Sequence, residues 1–167
     1  FWHVAPIPIV FYIASQSSLS NLQQSLVLSA FLFWALRLTY NWFLNWTNLD
    51  HEDFRYIDLK NNNKLLAFVN DLFGIHLIPT LIVNASLYPI FIALTSDNLN
   101  NLVYVGFILI ILAVVVQYIA DAHMRDFRKD QNNLGKTMKY GIWRSSRHPN
   151  YVCEVSFGLG LYIFAVA

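Results

Sequence analysis

Two stretches near the end of the chain gather side chains able to bind and polarise a ligand. The first contains Gln117, Asp121, Arg125 and Arg128, and the second contains Arg147, His148, Asn150 and Tyr151 around Pro149, followed by Glu154. Steps of four, four and three place the first row on one face of a helix, provided the helix runs through it. An amide, a carboxylate and two guanidiniums on one face suit an anionic, hydroxyl-rich ligand. Arginine takes phosphate oxygens in bidentate fashion, and a carboxylate accepts from ribose hydroxyls or a carboxamide. A solvated helix end carrying i to i+4 ion pairs accounts for the same row. The second cluster stands directly before an apolar run, and Glu154 lies inside it. An ionisable group in the hydrocarbon zone costs roughly a few kcal/mol unless it is paired or faces a polar cavity, so Glu154 is a functional candidate. Arg37, Asn41 and Asp71 are the other ionisable or amide groups near apolar runs, and an Arg37–Glu154 contact is the purely structural alternative.

The elements that must position these residues are membrane helices. The 167 residues are 56% apolar and 16% aromatic with 13% charged, which is too oily for a water-soluble domain. Apolar runs of the length needed to cross a bilayer, about 20 residues, recur between polar punctuation. Residues 4–14 form a truncated or proline-broken first span with Pro6 and Pro8, residues 22–46 a second, and residues 72–94 a third in which Pro79 and Pro89 predict kinks. After a short turn at 98–101, residues 102–120 form a fourth span, and residues 151–167 begin a fifth. The expected fold is an all-α, polytopic transmembrane helical bundle of about five spans, one membrane domain over 1–167, cut from a longer protein at both ends. The single cysteine, Cys153, excludes an internal disulfide and a cysteine-rich zinc site.

Charge supplies the orientation. The third and fourth spans make a hairpin, so the polar segments 47–64 and 121–150 share one side, and together they hold ten of the eleven Lys and Arg residues. The turns at 15–21 and 95–101 on the opposite side hold none. The positive-inside rule then makes both long segments cytoplasmic. An endoplasmic-reticulum membrane is the natural site for a eukaryotic source.

The run Ala120-Asp121 through Phe127, the pair Gly135-Lys136, and the stretch Gly141 to Tyr151 ending in Arg147-His148-Pro149-Asn150-Tyr151, with Glu154 beyond it, resemble the steroid 5-alpha-reductase-like membrane proteins, in particular the branch with this last motif. Phe1-Trp2-His3-Val4-Ala5-Pro6 is similar to that branch's first motif. Leu36-Arg37-Leu38-Thr39-Tyr40-Asn41 with Glu52-Asp53-Phe54-Arg55-Tyr56 is similar to its second. The resemblance implies a membrane enzyme of lipid metabolism, an oxidoreductase that binds NADPH between helices and cytoplasmic loops and reduces a carbon–carbon double bond conjugated to a carbonyl. It further implies that Asp121 and Arg128 hold the nucleotide with Arg125 nearby. Asn150 and Glu154 would face the nicotinamide, with Arg147, His148 and Tyr151 in the same wall. Gln117 stands where steroid reductases usually carry Asn. A Gly-x-Gly-x-x-Gly fingerprint is absent from the sequence, so no Rossmann domain would hold the nucleotide. Hydride transfer to the substrate also needs a protein group to polarise its carbonyl. Tyr40 and Tyr56 qualify by type, Tyr151 by proximity and Glu154 by position. The hydrophobic substrate would enter among apolar spans, with Trp34, Trp42, Phe43 and Trp46 as interfacial anchors.

Two other classes share parts of this pattern. Isoprenylcysteine carboxyl and phospholipid methyltransferases also place a His-Pro-x-Tyr turn before a span with a downstream Glu, where they bind S-adenosylmethionine. A non-catalytic membrane scaffold is the other. Nucleic-acid binding is not expected, because Asp121, Asp126 and Asp130 offset the basic residues of the last loop. His3, His51, His76 and His123 do not fall at metal-ligand spacing, so no metal is expected.

Overall fold

The computed structural model describes residues 6–46, 68–97 and 99–167. Among the described residues all regular structure is helical. Helix α1 spans Ile7–Ser15, with Pro6 as its N-cap and Pro8 in its first turn. Helix α2, Asn21–Leu44, starts at Ser20, whose hydroxyl accepts from the Gln23 amide, the usual way to satisfy a donor that the first turn leaves unpaired. A π-helical segment, Asn70–Leu77, runs into α3, Ile78–Ser86, and α4, Tyr88–Thr95, follows after a break at Leu87. Pro89 stands in the first turn of α4 after the break at Leu87, where the missing N–H costs nothing, so the kink expected there is a helix restart. Pro79 stands where the π-helical segment passes into α3. Helix α5 covers Leu102–Lys129, 28 residues without interruption. Two short 3₁₀ turns, Gln131–Asn133 and Gly141–Arg144, lead to α6, Pro149–Val166.

Four segments are long and apolar enough to cross a bilayer: Leu22–Leu44, Asn70–Thr95, Leu102–Lys129 and Pro149–Val166. The chain is an integral, multi-pass membrane protein. Helix α1, with nine residues, covers about 14 Å at the α-helical rise. At the same rise α5 is about 42 Å long, so it outruns a hydrocarbon core of about 30 Å and carries its polar C-terminal turns past it.

Hydrogen bonds at one end of the bundle fix the relative directions of the helices. Gln23 donates to the Leu99 carbonyl, Ser18 to the Ser96 carbonyl, and the Asn100 amide to the Ala167 carbonyl at 2.9 Å. The start of α2, the end of α4, the start of α5 and the end of α6 thus meet, and α6 runs antiparallel to α5. At the opposite end the C-terminal halves of α2 and α5 meet the first turns of α6. The C-terminal ends of α2 and α5 consequently lie at the same end of the bundle. Segment 47–64 itself, and Tyr56 with it, lies outside the described residues.

Between these ends an apolar core forms from Val27, Phe31 and Trp34 of α2, Ile90 and Leu94 of α4, Val103 and Ile110 of α5, and Phe157, Leu161 and Phe164 of α6. Helices α5 and α6 approach most closely at Gly106 and Gly160. A Cβ at Gly160 would lie 2.4 Å from Ile110 Cγ1 and 3.2 Å from the Gly106 carbonyl oxygen. In lipid, where both helix faces are already apolar, such close contact supplies the packing energy that hydrophobic burial cannot. Gly160→Val is expected to destabilise the bundle by about 1–3 kcal/mol, the usual cost of overpacking. Gly158→Ala, placed where a Cβ would meet nothing within 4 Å, should leave the thermal midpoint in detergent almost unmoved.

Candidate functional site

Helices α2, α5 and α6 converge on a cluster of polar side chains buried among apolar ones. Arg37 of α2 forms an ion pair with Asp121 Oδ2 of α5, both side chains being almost fully buried. The other oxygen of Asp121 accepts from Asn150 Nδ2 of α6 at 2.5 Å. One turn earlier on α5, Gln117 is fully buried and donates Nε2 to Glu154 Oε1 at 2.6 Å and to the Asn150 carbonyl at 3.2 Å. Trp34 donates Nε1 to Glu154 Oε2 at 3.2 Å, and Arg37 Nη1 lies 3.8 Å from Glu154 Oε1. One turn later on α5, Arg125 Nη1 donates to Asn41 Oδ1 at 2.7 Å. The regular α-helical spacing of Trp34, Arg37 and Asn41 on α2, and of Gln117, Asp121 and Arg125 on α5, aligns the two rows face to face.

The partners dictate how the two amides are oriented. Carboxylate and carbonyl oxygens only accept, so Gln117 and Asn150 must turn their NH₂ groups toward them. Their oxygens, Gln117 Oε1 and Asn150 Oδ1, are then left buried without a hydrogen-bond partner among the described residues, as is Arg37 Nε. Each such group costs about 1–3 kcal/mol unless something pairs with it, so the cluster holds two acceptors and one donor whose hydrogen-bonding capacity is unused among the described residues.

Beside this cluster, at the polar end of α5, lies an open cavity of about 1120 Å³. Arg128, Lys136, Lys139, Arg144 and Arg147 line it with His148, against one carboxylate, Asp130, and its apolar wall includes Phe127, Met138 and Trp143. The five cations make no ion pair among the described residues. Arg128 belongs to α5, and the loop that carries the other four is docked on that helix by Trp143, whose Nε1 donates to the Ala120 carbonyl at 3.0 Å. It is docked also by Gly141, which has φ +60° and sits so close over His123 that a Cβ would fall 2.9 Å from Nδ1. Only glycine fits both that backbone conformation and that gap.

The sequence-derived candidates therefore divide. Gln117, Asp121, Arg125, Asn150 and Glu154 meet in the buried cluster or on its edge, whereas Arg128, Arg147 and His148 line the cavity. Tyr151 is exposed, its ring stacked on that of His148 at 5.2 Å. Tyr40 is also exposed, its ring 6.4 Å from that of Tyr118, and it does not join the cluster. Arg37, expected as a contact of Glu154, pairs first with Asp121. Trp34, expected as an interfacial anchor, is buried in the core. Trp34, Arg37 and Asn41 join the site although the sequence placed none of them in it, reading Arg37 and Asn41 as polar groups near apolar runs and Trp34 as an anchor. Their helical spacing inside one apolar span was the available signal.

The whole chain, residues 1–167, matches the family described as "Protein of unknown function (DUF1295)". The chain belongs to this family. It is also similar to a curated protein of Schizosaccharomyces pombe, "Uncharacterized protein C594.04c", with 27% identity over 164 residues, covering 83% of this chain and 48% of the relative. The chain thus spans about half the length of that relative. No solved structure matches it.

The buried ion pair makes a prediction independent of any ligand. Asp121→Ala strands the Arg37 guanidinium and should destabilise the protein by about 3–5 kcal/mol. Replacing both partners, Arg37→Met with Asp121→Ala, should recover most of that loss in detergent unfolding. Equal destabilisation by the single and double variants would mean that the pair is not coupled.

Proposed function

We propose that the chain is the cofactor-binding part of a membrane-embedded, NADPH-dependent reductase acting on a carbon–carbon double bond of a lipid or steroid-like enone. The observation that carries this reading is the meeting, on one helix, of a buried amide and carboxylate cluster with an open cationic cavity. A nicotinamide dinucleotide has the matching halves, a primary carboxamide at one end and several phosphate charges toward the other. The unpaired oxygens of Gln117 and Asn150 suit the N–H donors of a carboxamide, and Arg37 Nε suits an acceptor. Arg128, Arg147 and the neighbouring lysines suit phosphate oxygens, which guanidiniums take in bidentate fashion. When bound, the cofactor would supply hydride to the substrate. The chain's own contribution is to bind and orient: Asp121 holds the Asn150 amide in place, and Gln117 and Trp34 hold the Glu154 carboxylate.

The steroid 5-alpha-reductase-like motifs support the same reading, since Asp121, Arg128, Asn150 and Glu154 are the residues to which that resemblance assigns the nucleotide. Charge speaks against the methyltransferase alternative. S-adenosylmethionine carries a sulfonium cation and no phosphate, so five cations around one carboxylate would repel it rather than attract it. On this reading the cavity end faces the cytoplasm, in keeping with the concentration of basic residues there, and a eukaryotic source would place the protein in the endoplasmic-reticulum membrane.

NADPH binding to the full-length protein in detergent, followed by the fluorescence of the reduced nicotinamide, tests the assignment. Asp121→Ala, Arg128→Ala and Asn150→Ala should each weaken binding at least tenfold, roughly 1.4 kcal/mol. Unchanged binding in all three would remove the site assignment.

A further inference from the structure

We infer that Trp34 is a positioning residue that sets the orientation of the Glu154 carboxylate, an inference that rests on the reading of Glu154 as part of a nicotinamide site. Glu154 belongs to α6, and its carboxylate is held from two other helices. Oxygen Oε1 accepts from Gln117 of α5 at 2.6 Å, and Oε2 accepts from Trp34 of α2 at 3.2 Å. With 38% of its side chain exposed, the carboxylate keeps lone pairs free for a ligand.

The indole is fixed before it meets the carboxylate. Trp34 is 5% exposed, and its ring stacks on Phe157 with centroids 4.5 Å apart and planes 9° from parallel. Phe31 closes against it at 6.1 Å. Phe157 follows Glu154 by three residues and so shares its face of α6. One pair of neighbours on α6 thus takes the flat side and the N–H edge of the same indole, which makes the donor direction a property of the core.

The final torsion of a glutamate is broad and roughly two-fold, so packing alone does not choose its rotation. Arg37 Nη1, 3.8 Å from Oε1, is the competing attraction. Without the indole N–H, the carboxylate is free to rotate and close on Arg37, drawing the guanidinium away from Asp121 and loosening the Asn150 amide that Asp121 holds. A neutral donor such as Trp opposes that collapse without adding a second cation.

The test uses the full-length protein in detergent with Trp34→Phe, which keeps the stacked ring and deletes the N–H, alongside Glu154→Gln and the double variant. The carboxylate band of Glu154 is isolated as the infrared difference between wild type and Glu154→Gln, and needs no cofactor. The expected results are a shift of this band in Trp34→Phe, NADPH affinity about tenfold weaker, and no further loss in the double variant beyond that of Glu154→Gln alone. An unmoved band, or losses that add independently, would overturn the positioning role. Should Trp34→Phe lower the thermal midpoint, the infrared band is read well below that midpoint, where the protein is folded, and an unmoved band there would overturn the role. A wild-type protein that bound no NADPH would overturn the reductase reading instead, and the infrared band would still decide whether Trp34 holds Glu154.

Discussion

The Arg37–Asp121 ion pair is the interaction around which the rest of the site is arranged. A guanidinium and a carboxylate inside a helix bundle each carry a large desolvation penalty, and neither is tolerated there alone. Together they tie α2 to α5, and the second oxygen of Asp121 then binds Asn150 and so ties α5 to α6. Removing either charge would leave the other with weaker partners, Glu154 at 3.8 Å for Arg37 and the Asn150 amide for Asp121. The pair therefore constrains where α6 can begin, and with it the positions of Asn150 and Glu154.

That constraint explains why one stretch of α5 serves two environments. Its apolar part packs against α2 and α6 through the Gly106–Gly160 contact and the core around Phe31 and Phe164. Its last turns, beyond the length that a bilayer core requires, carry Arg125 and Arg128 and anchor the loop through Trp143 and His123. The carboxylates of the buried cluster are met by the neutral donors of Gln117, Asn150 and Trp34 and by Arg37, whereas the cavity beside it holds cations without ion-pair partners among the described residues. A site with rigid hydrogen-bonding geometry at its inner end and a diffuse positive field at its outer end suits a long, polyanionic cofactor with one uncharged, flat terminus.

Much of this was legible in the sequence because the governing periods are short-range. The four-four-three spacing from Gln117 to Arg128 and the break at Pro149 state a helix face and a helix start without reference to tertiary structure, and α5 and α6 follow them. The same spacing did not reveal that Arg128 departs from the buried row into the cavity, since that depends on where α5 leaves the bundle. Tyr40 was chosen by chemical type and Tyr151 by proximity to the motif, and both are exposed, because neither criterion carries information about which side of a helix meets a neighbour. Trp34 illustrates the converse. An aromatic in an apolar span reads as a membrane anchor, and only its contact with Phe157 and Glu154 on a helix more than a hundred residues away gives it another role.

A direct test of the central claim is the thermal unfolding of the full-length protein in detergent with NADPH and, separately, with S-adenosylmethionine. A ligand that binds only the folded state raises the midpoint in proportion to its affinity and concentration. A rise with NADPH and none with S-adenosylmethionine is the result that the proposed reductase reading predicts. A rise with S-adenosylmethionine alone would contradict it and move the protein to the methyltransferases, and no rise with either would leave a membrane scaffold built on the same ion pair.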